Sequence, residues 1–123
     1  MAFITINGKQ FPAPARFPKL VISTLVDAGR NANGVVVGQK IGRDQNKVDS
    51  LTWPVLDATT WASMLQEFSG FFVIATIWDM AANDWVTIKM YPGDRTADVL
   101  EIDDSGRPVK YKDCAVNIID CGL

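Results

Sequence analysis

The chain contains no histidine, and that absence removes the commonest general base together with the Ser-His-Asp and Cys-His forms of nucleophilic catalysis. Cysteine is scarce too, with only Cys114 and Cys121 present. Two thiols without a histidine fall short of the four ligands that structural zinc takes. An offset of seven puts these side chains on opposite faces of an extended strand, so a bridge would need a turn between them. Buried free thiols are expected instead. No cofactor is expected, and no catalytic residue or metal ligand is assigned.

An excess of charge of one sign is also missing: 12 Lys+Arg stand against 14 Asp+Glu, and neither forms a long block. A protein that binds nucleic acid by neutralising phosphates needs a basic stripe, which this chain lacks. The longest apolar runs, Gly70 to Trp78 and Val35 to Val37, are far shorter than the ~18 residues of a membrane span. The N-terminus shows no signal-peptide pattern, because Lys9 follows rather than precedes a short, polar-interrupted start. The expected compartment is the cytoplasm of the cell that makes the protein, with no membrane partner.

Three local patterns invite chemistry and do not carry it. Gly29 to Gly34 is flanked by glycine but lacks the Lys-Ser/Thr of a phosphate loop. Asp103 and Asp104 are adjacent, so on a strand they point apart, and the following Ser-Gly makes a solvated turn. The four tryptophans, Trp53, Trp61, Trp78 and Trp85, lie in strongly apolar segments and are expected in the core rather than in a stacking platform. An enzyme is not expected.

What is present suits one β-rich domain. The 123 residues are 48% hydrophobic, and a chain of this size buries roughly two-thirds of its unfolded surface. Phe3 to Phe11 alternates and breaks at Asn7-Gly8, predicting two short strands. Pro12, Pro14 and Pro18 keep the next segment extended. Lys19 to Asp27 carries apolar residues on both faces and reads as a strand covered on both sides, followed by a loop from Ala28 to Gly34. The stretch from Ala28 to Asn46 reads as an extended loop or arm, and Lys47 to Leu56 as a strand. One helix is predicted from Asp57, its cap, to Gly70, its stop, with Trp61, Met64, Leu65 and Phe68 on one face. Phe71 to Trp78 and Trp85 to Tyr91 form a hairpin; Val99 to Ile102, a turn at Asp103 to Gly106, and Val109 to Ile119 complete the chain. Eight or nine strands and one helix predict a mainly β protein, a β-sandwich or open barrel with one flanking α-helix.

Several segments together resemble a family of small uncharacterised siphophage and prophage tail proteins. They are the Ile-Asn-Gly-Lys hairpin with prolines after it, Asp27-Ala28-Gly29-Arg30, Leu51-Thr52-Trp53, the helix, Phe71-Phe72-Val73, Lys89-Met90-Tyr91-Pro92-Gly93-Asp94-Arg95 and Asp113-Cys114-Ala115-Val116-Asn117-Ile118-Ile119. The resemblance covers nearly the whole chain, and Met90 to Arg95 is its most specific part. It implies a structural virion protein of phage tail-tube-like fold, a ring-forming subunit of a tail tube or distal tail tip around the DNA channel. The expected partners are copies of itself in a hexameric ring and other tail proteins such as the tape measure, tail tube and hub. DNA would pass without being bound specifically. The expected locations are the virion tail and, during assembly, the host bacterial cytoplasm. The alternative is a monomeric carbohydrate- or peptide-binding β module of the same particle. On the leading reading, Arg30, Asn31, Asn33, Val35, Val36 and Val37 form an inter-subunit arm. Asp98, Glu101, Asp103 and Asp104 face the channel, with Asp44 and Asp49 as a second acidic set.

Overall fold

The computed structural model describes residues 2–15 and 17–122. The fold is mainly β, with ten strands and one helix among these residues. In chain order the strands are β1 (Thr5–Ile6), β2 (Lys9–Gln10), β3 (Lys19–Arg30), β4 (Val36–Asp49), β5 (Thr52–Asp57), β6 (Val73–Asp79), β7 (Asp84–Pro92), β8 (Thr96–Ile102), β9 (Pro108–Ala115) and β10 (Ile118–Asp120). Helix α1 (Ala58–Gln66) lies between β5 and β6. All pairings are antiparallel, in a seven-stranded sheet of order β2-β1-β6-β7-β10-β4-β3 and a three-stranded sheet of order β5-β9-β8.

The Asn7-Gly8 turn works because both residues take positive φ, 52° and 81°, which Asn and Gly adopt most cheaply. The core draws on both sheets and the helix. Ile4, Ile6, Val48, Val73, Ala75, Ile77, Met90 and Ile118 come from the seven-stranded sheet and its approaches, and Trp53, Leu56 and Cys114 from the three-stranded one. The helix adds Trp61 and Met64, with Phe68 just beyond its end, and half-buried Leu65 packs against the same cluster. Edge-to-face contacts tie Phe11 to Trp53 and to Phe68, with ring centroids 6.2 and 6.0 Å apart. The Trp53 indole N–H donates to the Pro12 carbonyl at 2.9 Å, which satisfies the one polar atom that this ring takes into the core.

Four expectations are corrected here. Asp57 precedes the helix in extended conformation but makes no side-chain cap bond, and the helix stops at Gln66, short of Gly70. The expected strand from Lys47 to Leu56 is two strands in different sheets, broken at Ser50 with φ 55°. The expected strand from Val109 to Ile119 is likewise split, into β9 in the small sheet and β10 in the large one. Finally, Lys19 to Asp27 is not covered on both sides: β3 is an edge strand, half-buried at Leu20 to Ile22 and exposed from Ser23 to Val26.

Candidate interaction surface

The most exposed ordered feature is the hairpin of β3 and β4. Its ladder runs from Lys19↔Asp49 to Arg30↔Val36, with an irregularity between Ser23 and Leu25. The segment read as a loop from Ala28 to Gly34 is therefore the end of β3 and a tight turn. At that turn the Asn31 side-chain oxygen accepts from the Asn33 and Val35 N–H groups at 3.0 and 3.1 Å. Gly34 sits at φ 78°, and the Arg30 guanidinium donates to its carbonyl at 2.7 Å. Such Asx bonding explains why an Asn-rich, apolar-poor stretch closes a long ribbon so tightly.

Beyond the irregularity, no layer packs over the ribbon among the described residues. Leu25, Val26, Val35, Val36, Val37 and Ile41 are each about half exposed, between 48% and 58%. One face, where Val26 opposes Lys40, Ala28 opposes Gly38 and Arg30 opposes Val36, carries a shallow hollow of about 340 Å³. All six candidate arm residues, Arg30, Asn31, Asn33, Val35, Val36 and Val37, fall at this tip and are exposed.

The base of the ribbon is clamped to the C-terminal segment. Gly42, at φ 66°, lets β4 bulge so that Arg43 turns towards β10. Its guanidinium donates to both oxygens of Asp120 at 2.6 and 2.7 Å. Asp120, 3% exposed, also accepts from the Asn46 and Gly122 N–H groups at 3.0 and 2.8 Å. Burial alone would raise the Asp120 pKa, but the bonds from Arg43, Asn46 and Gly122 together hold it below the usual carboxylate range. The same bond raises the Arg43 pKa. On the other side of the bulge, Asp44 accepts from the Thr24 hydroxyl at 2.7 Å and pairs with Lys40 at 3.0 Å, and these contacts lower its pKa. No sequence signal linked Arg43 with Asp120, which stand 77 residues apart.

The candidate acids are brought together in part. Asp98 and Glu101 are exposed on edge strand β8, opposite Lys112 and Lys110 of β9, and Glu101 lies 3.8 Å from Lys110. Asp103 builds its turn: its side chain accepts from the Ser105 and Arg107 N–H groups at 2.8 and 3.0 Å. Asp104 is exposed beside it. Asp44 and Asp49 lie elsewhere, at the arm's base, each within 3.4 Å of a lysine.

A second apolar surface lies on the outer side of the β6–β7 hairpin. Val73, Ala75 and Ile77 of β6 point into the core, so Ile74, Thr76 and Trp78 point out. They lie opposite Lys89, Thr87 and Trp85 of β7. Trp78 and Trp85 meet edge to face at 5.3 Å on this outer side, so only Trp53 and Trp61 are buried and the expectation of four core tryptophans fails for the other two. At the opposite end Phe71 stacks on Tyr91 at 5.3 Å, and the Lys89 ammonium lies 4.7 Å from the centre of the Phe72 ring. The sequence signal is the nearly continuous apolar run from Phe71 to Trp78, broken only by Thr76, and periodicity alone does not say which of its two faces is covered.

Comparison of the chain with protein-family models, with curated proteins and with solved structures finds no match.

Proposed function

We propose that this chain is a structural virion protein, a ring-forming subunit of a phage tail tube or distal tail tip. In this reading the two sheets are the halves of a tail-tube-like sandwich, and the β3–β4 arm reaches a neighbouring copy. The observation that carries the reading is the distal half of the arm, where six large apolar side chains stand half exposed on a ribbon with an open edge. Such a ribbon is a hazard in a monomer and an asset in an assembly. A closed ring needs a heterologous contact, and an arm meeting a different surface of its neighbour supplies one. The acids Asp98, Glu101, Asp103 and Asp104 then face the channel, where phosphates pass a wall that does not hold them.

Sedimentation velocity combined with negative-stain electron microscopy tests this. The expected result is a discrete oligomer, six copies in the leading reading, seen as a ring with a central hole. A chain that stays monomeric at every concentration up to ~1 mM overturns it and favours the monomeric binding module.

A further inference from the structure

We propose that the open edge of β3 pairs with β3 of a second copy, antiparallel about a two-fold axis at Ser23, so that one sheet runs through both molecules. The inference goes beyond the ring reading, because an isologous pair closes at two copies and needs no ring.

A sheet edge carries a row of unpaired N–H and C=O groups, and folded proteins blunt such edges. Among the described residues the edges are β2, β3, β5 and β8, and all but β3 are blunted. β2 has two residues and is soon followed by Pro12, β5 carries Pro54, and the β8–β9 ladder shifts register at three places. β3 is twelve residues long and contains no proline. The irregularity of its ladder lies in the other strand, since β3 advances two residues from Ser23 to Leu25 while β4 advances four from Gln45 to Ile41. The outer edge of β3 therefore stays regular, and an extended strand is the partner that fits it.

The order of residues along β3 identifies that strand as β3 itself, because it is self-complementary about Ser23. Ile22 falls opposite Thr24, Val21 opposite Leu25, Leu20 opposite Val26, and the base Lys19 opposite the acid Asp27, each twice across the axis. Lys19 is exposed, and its own ladder neighbour Asp49 already lies 3.4 Å from Lys47. Leu25 and Val26, 48% and 58% exposed, gain apolar partners. Moving the axis one residue either way sets Lys19 against Leu25 or Val21 against Asp27. The stretch from Lys19 to Asp27 against its copy gives about eight to ten backbone hydrogen bonds. A second feature agrees with this register. Phe17, 85% exposed, falls opposite Gly29 just beyond Pro18, whose missing N–H ends the ladder. Gly29 has open space where a side chain would stand, and with Ala28, Val37, Gly38 and Gln39 it borders a hollow of about 430 Å³. The exposed ring of one copy thus meets an opening in the other.

Residues directly opposite in an antiparallel pair stand about 4.5–5.5 Å apart at Cα, within reach of a disulfide. Only a self-opposed position can link to its own copy. Ser23→Cys in a Cys121→Ser chain is therefore expected to give, on oxidation, a band at twice the 13.5 kDa chain mass on a non-reducing gel, and Val21→Cys in the same background is not. Lys19→Asp and Asp27→Lys each place like charges opposite one another and are expected to weaken dimerisation at least tenfold by sedimentation. Their equimolar mixture is expected to restore it, since each base then meets an acid across two chains. Circular dichroism with thermal melting verifies that the variants fold. The pairing is overturned if Val21→Cys links as readily as Ser23→Cys, if neither links, or if the mixture of folded variants stays monomeric; rings seen by electron microscopy would then still support the ring reading. Linked pairs that never grow past two copies uphold the pairing and overturn the ring.

Discussion

Asp120 ties the base of the arm to β10 through its paired bonds with Arg43. It is buried, yet it stays charged because Arg43 and two backbone N–H groups replace the water it gave up. Asp120→Asn removes the charge and one strong acceptor, so equilibrium denaturation is expected to show a loss of about 2–4 kcal/mol, moderated because Arg43 still reaches solvent. The pH dependence has a definite sign. A carboxylate whose folded pKa lies below its unfolded value of about 3.9 stabilises the fold above that pH and loses this contribution as pH falls through the folded value. Acid titration of stability is therefore expected to steepen below about pH 4 in the parent and to be shallower in Asp120→Asn. The thiols separate in the same way. Burial pushes the Cys114 thiol up, whereas Cys121 is only half-buried. A thiol reagent is expected to modify Cys121 in the native protein and Cys114 only as fast as the chain unfolds. Equal rates would mean that the small sheet opens freely.

The helix and the arm are opposite cases among the elements. The helix has no side-chain cap and no acidic residue in its first turn, so its stability comes from the face it buries. Met64→Ala, at a position 1% exposed, is expected to cost about 2–5 kcal/mol, and Leu65→Ala, on the half-buried flank, about 1–2 kcal/mol. Equal losses at both positions would mean that the helix sits deeper than its exposure pattern states. The arm has a long ladder and no core. Its amides from Leu25 to Ile41 are expected to exchange with solvent far faster in a monomer than those of β6 and β7, because a two-stranded ribbon alone is marginally stable in water. Protection of those amides equal to that of the body would count against an arm that needs a partner.

At the scale of the whole molecule, body and arm are separable. Every side chain described from Ser23 to Gly42 is exposed, so the body's core does not include the arm. Replacing residues 25–41 by an Asn-Gly turn is expected to leave a folded protein that still unfolds cooperatively, since the buried core draws no side chain from the arm. The same deletion is expected to abolish assembly by removing its apolar ribbon. A shortened chain that still forms the parent oligomer would locate the contact elsewhere, and one that fails to fold would show that the arm's ladder holds the body together.

The linear pattern of residues was enough to determine the β-rich class, the Asn7-Gly8 hairpin and the single amphipathic helix. Each rests on local physics, whether turn geometry or side-chain period. It also carried the β6–β7 hairpin, though not which face of it is covered, since an apolar run with period two looks the same from both sides. The tertiary structure alone decided the rest. Ser50 and the break after Ala115 send stretches that read as single strands into two sheets, because a strand changes sheet wherever the backbone turns and residue pattern does not record the turn. The loop expected from Ala28 became ribbon because cross-strand pairing supplied the backbone partners that its own side chains did not signal. The Arg43–Asp120 clamp joins groups 77 residues apart, and a contact at that separation exists only once the chain has closed on itself.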